Sequence, residues 1–181
     1  MKKLTLLALV MTGLCMTYCQ PKTEMKPPVV DNGAAMKARF TALNGCFNTG
    51  NLAAIDTILD ANAVDHSQDT SMHLPNGPEG LKKLLTMYRQ GSPDLKSDVK
   101  MMTAEGDIVM VYGTMSGTNT GPMMGMPATN KKWSMDFADV VKFGPDLKIT
   151  EHWGVYDGMK MMMDLGMIPS GPPPVDKKAK K

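Results

Sequence analysis

The sequence predicts an α+β fold in which helices come first and an antiparallel sheet follows. Between residues 36 and 91 the apolar residues recur every three or four positions, as on one face of a helix. From residue 94 to residue 157 they alternate with polar residues, as in strands with one buried face. With 181 residues and 43% hydrophobic composition, the chain can bury one core. We therefore expect a single folded domain, covering residues 31–169.

The first 19 residues have the pattern of a secretory signal. Two lysines follow the initiator methionine, and residues 4–11 form an apolar run too short to span a bilayer. Cys19, followed by Gln-Pro-Lys, is similar to the acylated cysteine of a bacterial lipoprotein, and residues 20–30 form a flexible tether containing Pro and Lys. We expect export, either with a lipid anchor on Cys19 that attaches the protein to a membrane or with ordinary signal cleavage.

Three helices are predicted before the sheet. The first begins at residues 31–32, where Asp or Asn can act as N-cap, and ends at Gly50. A short second helix covers residues 52–59. Pro78 is well placed as the first residue of the third helix, which ends at Gly91. The apolar stripes of these helices contain Met36, Phe40, Leu43, Phe47, Leu52, Ile55, Ile58, Leu59, Leu81, Leu84, Leu85 and Tyr88.

Strands are predicted at residues 94–104, 108–118, 131–143 and 148–157, and a short extended segment at residues 63–67. Four consecutive strands joined by short turns indicate an antiparallel meander, with the helices packed on one face of a curved sheet. After the last strand, a short closing helix begins at Gly158. The inward-facing residues of the first strand are predicted to be Leu95, Val99 and Met101.

The charge distribution argues against a nucleic-acid partner. Residues 31–168 carry 12 basic and 16 acidic side chains, whereas a nucleic-acid-binding surface needs a basic stripe. The basic residues of the C-terminal end lie in residues 170–181, a Pro- and Lys-rich tail that we expect to be disordered and dispensable for folding. The sequence leaves the formation of a homo-oligomer open.

An acid and an imidazole are predicted to face each other across the last two strands. Alternation places His152 and Tyr156 on one face of the last strand and Trp153 on the other, where we expect it in the core. If residues 144–147 form a four-residue loop, Asp139 lies directly opposite His152. The two side chains are either a working acid–base pair or a buried pair that fixes strand register. The apolar residues that share the face of Asp139 are Trp133, Met135, Phe137, Val141 and Phe143.

Four short segments carry a family pattern: Val64-Asp65-His66; Gly77-Pro78-Glu79-Gly80; Gly121 to Pro127 with Thr129 and Lys131; and Glu151 to Asp157, closed by Leu165 to Pro169. In this order and spacing they resemble the ester cyclase branch of the SnoaL-like polyketide cyclases, within the nuclear transport factor 2-like superfamily. The resemblance covers residues 36–169. It implies a cone in which three N-terminal helices close a bent sheet around an apolar pocket.

The resemblance also implies acid–base chemistry without a metal or cofactor, in which an enolate closes a carbon–carbon bond within one molecule. Asp139 and His152 then supply the base and the donor. The expected partner is a small apolar carbonyl compound; the alternative is a binding lipoprotein that keeps the pocket without the chemistry. The residues expected to contact that compound are Asp65, His66, Trp133, Met135, Phe137, Tyr156 and Asp157.

Other motifs leave this interpretation unchanged. We find no glycine-rich phosphate loop and no His/Cys metal spacing, so we expect no cofactor. The 20 methionines are typical of an adaptable core and pocket lining. The more specific alternative is copper(I) binding, since thioether groups are suitable ligands for that ion. Asp65 and His66 can bind a ligand or can cap the following loop. We expect His73 to be exposed and Cys46 to be a small buried hydrophobe without a disulfide partner.

Overall fold

The computed structural model describes residues 32–67, 72–123, 125–169 and 171. The predicted signal, Cys19 and the tether lie outside the described residues, as does the predicted tail apart from Gly171. No helix of the described part is long and apolar enough to cross a membrane. The described elements are α1 (Gly33–Thr49), α2 (Ile55–Ile58), β1 (Leu59–Asp65), α3 (Pro78–Gly91), β2 (Lys96–Glu105), β3 (Ile108–Thr118), β4 (Lys132–Phe143), β5 (Ile149–Tyr156) and α4 (Gly158–Leu165).

The five strands form one open, curved sheet in the order β1-β5-β4-β3-β2. Strands β2 to β5 are the predicted antiparallel meander, and the α+β fold is confirmed. The segment predicted as a separate extended piece is instead part of β1, which joins the sheet edge parallel to β5. Two helices, rather than the predicted three, therefore precede the first strand. The chain leaves α2 directly into β1, so Leu59 is a strand residue and not a helical one.

The helices cover one face of the sheet and bury their apolar stripes against it. Helix α1 packs against β2 and ends at Gly50, whose φ of 75° is left-handed and whose N–H donates to the carbonyl of Cys46 at 2.8 Å. Pro78 is the first residue of α3, as predicted. Cys46 is buried, as predicted for a small hydrophobe. The buried residues of α1 are Gly33, Met36, Phe40, Leu43 and Cys46.

A β-bulge changes the faces of β2. The pairing of β2 with β3 shifts register between Val99 and Met101, and an extra residue in one strand exchanges the faces of the residues beyond it. Met101 is consequently 64% exposed, whereas Met102 packs against the core. The prediction that Met101 faces inward was therefore wrong, because strict alternation does not anticipate a bulge.

The β4–β5 hairpin differs from its predicted register by two residues. The loop has five residues rather than four, since the N–H of Gly144 donates to the carbonyl of Lys148 and Phe143 pairs with Ile149. A second residue is inserted at the irregularity that follows this pair. As a result Asp139 pairs with Gly154, and His152 pairs with Val141. A shift of two residues keeps every side chain on its face, so Asp139 and His152 still share the inner one.

Candidate active site

A cavity of about 250 Å³ lies between the inner face of the sheet and the helices. Its wall is mainly apolar, and Met135 and Phe137 of β4 contribute to it as predicted. Trp133 does not reach it. That side chain is buried in the core, where its indole N–H donates to the Ser92 hydroxyl at 2.8 Å. Further apolar lining residues are Phe40, Leu43, Phe47, Leu59, Ala63, Met72, Leu81, Leu84, Met115, Val141 and Ile149.

His152 lies between two carboxylates on this wall. Its Nδ1 is 2.9 Å from Oδ1 of Asp65 on β1, and its Nε2 is 3.2 Å from Oδ1 of Asp139 on β4. The order of the strands explains the arrangement, because β5 lies between β1 and β4. Asp65 is the direct register partner of His152, while Asp139 reaches it diagonally from the neighbouring ladder position. The structure thus brings the two predicted residues together and adds a second acid.

The two carboxylates keep His152 protonated at neutral pH. Burial alone would lower the pKa of its imidazole, but the close polar contacts with Asp139 and Asp65 and their negative charges outweigh burial and raise the pKa to about 9. For Asp65 burial favours the neutral acid, yet its contacts with His152 and Ser67 prevail and lower its pKa. Asp65 and His152 therefore form an ion pair with one positive and one negative charge.

Asp139 is the acid that faces the cavity with free acceptor capacity. Its side chain is 14% exposed, and Oδ1 accepts no well-aligned hydrogen bond within the described residues; its contact with Nε2 of His152 is an ion pair. An unsatisfied buried carboxylate oxygen is costly, and a catalytic role is one physical reason for a protein to keep it. Asp139 lines the cavity, so its carboxylate can accept a proton from a bound molecule.

Tyr156 places a neutral phenol beside Asp139. Burial of its hydroxyl and the negative charges of Asp139 and Asp65 raise its pKa far above the ordinary value, so it stays protonated and can donate a hydrogen bond. Gly154 makes room for this ring, since a Cβ at that position would clash with the Tyr156 hydroxyl oxygen. Tyr156 lines the cavity, in agreement with the prediction.

Several polar cavity residues, among them Tyr88, Asn44 and Ser97, were not identified from the sequence. Tyr88 of α3 lines the cavity, and burial raises the pKa of its hydroxyl. Asn44 of α1 and Ser97 of β2 line the wall near the other end of the sheet. Tyr88 had been assigned only to an apolar stripe. Asn44 follows Leu43, a residue of the apolar stripe of α1. A polar side chain beside this stripe was the sequence feature that could have indicated a polar contact in the cavity.

Besides Trp133, two further predicted contact residues, His66 and Asp157, lie outside the cavity wall. The His66 ring stacks on the Trp153 ring, with centroids 4.5 Å apart, and its Nε2 lies 3.0 Å from Oε2 of Glu151. Trp153 is 38% exposed rather than core, because helices cover only the inner face of the sheet. Asp157 is the N-cap of α4, where its side chain accepts a hydrogen bond from the N–H of Lys160 at 3.0 Å.

Asp65 caps the following loop, which is one of the two roles that the sequence left open for it, and it also contacts His152. Its Oδ1 accepts from the N–H of Ser67 at 2.9 Å, which caps the turn after β1, and the same oxygen contacts His152. The Ser67 hydroxyl in turn accepts a hydrogen bond from the N–H of Gly154. Within the described residues, no group of three His, Cys, Asp or Glu side chains has a metal-binding arrangement.

Comparison with known proteins identifies the family of the chain. The family model of the SnoaL-like polyketide cyclases matches residues 37–165, which include every element from α1 to α4 except the start of α1. No protein of curated function matches the chain in sequence.

Solved structures of similar proteins have the same fold. IdmH of Streptomyces antibioticus, a candidate polyketide cyclase, is 25% identical with a TM-score of 0.63, over 72% of this chain and 98% of its own. AclR of Streptomyces galilaeus, a candidate hydroxylase, is 26% identical with a TM-score of 0.65, over 77% of this chain and 85% of its own. TsrD of Streptomyces laurentii is 21% identical with a TM-score of 0.68, over 75% of this chain and 97% of its own. Because one scaffold carries a candidate cyclase and a candidate hydroxylase, the fold alone does not assign the reaction.

Proposed function

The chain belongs to the SnoaL-like polyketide cyclase family, and from that premise we propose that it is a cofactor-independent enzyme that moves a proton next to a carbonyl group of a small apolar compound. The observation that carries the proposal is the position of His152 between Asp65 and Asp139 on the wall of an apolar cavity. Proton removal beside a carbonyl requires a base near the carbon and donors near the oxygen. The cavity offers both.

In this proposal Asp139 is the base. Its carboxylate lines the cavity beside His152, so it can take the proton from the carbon next to the carbonyl group. The carbon–hydrogen bond breaks, its electron pair forms the enolate, and Asp139 becomes a neutral acid. The charge of the site moves from the carboxylate to the substrate oxygen, while the imidazolium of His152 is retained.

His152 and Tyr156 stabilise the enolate. When Asp139 is protonated, the Nε2–H of His152 loses its ionic partner and can donate to the enolate oxygen. Tyr156 is a neutral donor beside the same carboxylate. Asp65 does not touch the substrate in this scheme; it holds the imidazole by Nδ1 and is a positioning residue.

The enolate then has two outcomes. Its carbon can attack a second carbonyl group of the same molecule, which forms a ring, and the new alkoxide takes the proton back from Asp139. Alternatively, Asp139 returns the proton to another carbon of the conjugated system, which is an isomerisation. Both routes restore the carboxylate, consume no oxidant or reductant, and require only the residues of the cavity.

Exchange of carbon-bound hydrogen tests the first step. We expect the wild-type protein in D₂O to catalyse deuterium incorporation next to the carbonyl of cyclohexanone, followed by ¹H NMR. Asp139→Asn should lower this rate by at least about a hundredfold, since a positioned base typically contributes about 10²–10⁴-fold. Asp136→Asn is the matched control, because Asp136 lies on the same strand with its carboxylate bonded to Tyr112 and Thr114 instead.

Three results would decide against the proposal. Unchanged exchange in Asp139→Asn would remove Asp139 as the base. A large drop in melting temperature without a selective loss of exchange would indicate a structural pair. Binding of cyclohexanone to the wild type with no exchange above buffer would favour the alternative, a binding protein without chemistry.

We also propose that the protein acts outside the cytoplasm, on the evidence of the sequence alone. The basic start, the short apolar run and Cys19 before a polar tether support export with lipid attachment. A lipid on Cys19 would be its link to a membrane.

A further inference from the structure

We propose that Asn44 and Ser97 form a second polar contact in the cavity, which binds a hydroxyl group of the substrate far from the reacting carbonyl. The inference rests on the proposed function, because the Asp65–His152–Asp139 cluster defines the reacting end. The substrate class is then an elongated apolar carbonyl compound with a distal hydroxyl group. Both residues line the cavity, and Ser97 is 5% exposed.

The hydrogen bonds between the two residues fix which polar atoms are left for a ligand. Nδ2 of Asn44 donates to the backbone carbonyl of Ser97 at 3.1 Å, and a carbonyl can only accept, so the orientation of the amide is determined. Oδ1 of Asn44 accepts from the Ser97 hydroxyl at 2.6 Å. The second N–H of Nδ2 and the lone pairs of the Ser97 hydroxyl oxygen remain available.

This combination suits a hydroxyl group better than other substituents. A ligand hydroxyl can accept from the amide N–H and donate to the serine oxygen at the same time. A ketone oxygen can only accept, and a methyl group can do neither. A methyl group at this place would also leave the two polar groups without a partner and without water.

The sheet register sets the distance between the two ends. Ser97 pairs with Met115, and Met115 pairs with Met135. Asp139 lies four residues beyond Met135 on β4, which is about 13 Å along the strand at about 3.3 Å per residue. The apolar side chains of Met135 and Phe137 line the wall between these levels. Ser97 also lies two strands away from β4, about 10 Å across the sheet, so the two backbone positions are about 16 Å apart in a flat sheet. Because both side chains reach into the cavity and shorten this span, a ligand that makes both contacts is a chain of roughly ten heavy atoms with an oxygen at each end.

Asn48, one turn later on α1, is a comparison residue that distinguishes ligand binding by Asn44 from a purely structural role. Its Nδ2 donates to the carbonyl of Ser97 at 3.0 Å, and its Oδ1 accepts from the N–H of Ser97 at 2.7 Å. Asn48 thus fastens α1 to β2 at least as firmly as Asn44 does, but it is exposed and does not line the cavity. If fastening were the only function, the two asparagines would be equivalent.

Binding of two matched ketones tests the inference. The probes are decan-2-one and its ω-hydroxy derivative, with affinities measured by displacement of an environment-sensitive dye from the cavity. We expect the wild type to favour the hydroxy ketone about three- to tenfold, as one additional hydrogen bond provides. Asn44→Ala should bring the ratio of the two affinities close to one. Asn48→Ala should keep the wild-type ratio.

Ser97→Ala is the second variant, because it removes the hydroxyl and keeps the backbone groups that hold both asparagines. It should also reduce the preference, and it decides the matter if Asn44→Ala does not fold. A preference that survives in both variants overturns the inference, as does an equal loss in Asn48→Ala. A wild type that binds neither ketone overturns it as well. Deuterium exchange on cyclohexanone, which is too short to reach Asn44, reports the acid–base cluster separately.

Discussion

Asp65 and His152 are direct register partners across the parallel pairing of β1 with β5, and their side chains meet at 2.9 Å. The pairing makes an edge strand part of the candidate site. Without β1 at this edge, His152 would have one carboxylate neighbour and an open side towards solvent. The parallel strand therefore supports the charge state of the imidazole.

The stability of the protein should fall as the pH rises through the slightly alkaline range. The pKa of His152 is about 9 in the folded state and 6.5 in the unfolded state, so the folded protein binds this proton more tightly. The contribution is complete below pH 6.5 and is lost between pH 6.5 and about 9. Urea unfolding across this range should show a decrease in the free energy of unfolding of up to about 3 kcal/mol.

His152→Asn provides the control for that decrease. The variant lacks the titrating group, so its free energy of unfolding should be nearly constant over the same pH range. An equal decrease in the wild type and the variant would assign the effect to another group and would contradict the charge state derived for His152.

Removing one of the two carboxylates should lower the pKa of His152. In Asp65→Asn the amide oxygen can still accept from the N–H of Ser67, so the turn after β1 is kept while the negative charge is lost. We expect NMR titration of the imidazole to give a pKa below about 9. The pH profile of deuterium exchange should shift in the same direction. Asp60→Asn, a half-buried position of β1 whose Oδ1 accepts from the N–H of Asn62 instead, should change neither quantity.

The sequence predicted the strands of the meander and the faces of β4 well, because alternation and turn residues are local signals. The limits of β3 were predicted without error, and Asp139 and His152 were assigned to the same inner surface. The register between them was wrong by two residues, since loop length and the irregularity after Phe143 depend on packing and not on local pattern. Because the register error was an even number of residues, Asp139 and His152 were still assigned to the correct face.

The second acid could not be derived in the same way. Asp65 was predicted only as a family match, and its contact with His152 depends on a parallel pairing between segments 87 residues apart. No local pattern reports such a pairing. Trp153 was misassigned for a related reason: alternation gives two faces for a strand but does not say which face the helices cover.

The two tryptophans should respond differently to replacement. Trp133→Phe removes the donor to the Ser92 hydroxyl, which is fully buried, and should lower the free energy of unfolding by about 1–3 kcal/mol. Trp153→Phe should change it by about 0.5 kcal/mol or less, because that side chain is partly exposed on the outer face. Urea unfolding of both variants measures the difference. Equal effects would contradict the assignment of Trp153 to the outer face.

Lipid attachment at Cys19 remains a prediction from the sequence. A single acyl chain binds a membrane only marginally, so stable anchoring needs the several chains of a bacterial lipoprotein. Growth of the expressing bacterium with a clickable fatty acid should label the wild type and not Cys19→Ser. A mature form that begins at another residue and carries no label would establish ordinary signal cleavage.

The absence of a side chain at Gly154 means that a single substitution there can remove one hydrogen-bond donor from the site. The Tyr156 ring occupies the space that a methyl group at position 154 would need. One added carbon would push the phenol away from Asp139 and leave the carboxylate and the imidazole in place. A homologue with alanine at this position would keep the fold and the acid–imidazole pair while losing a donor to the substrate oxygen. Loss of activity in such a lineage would then be traceable to a residue with no functional group of its own.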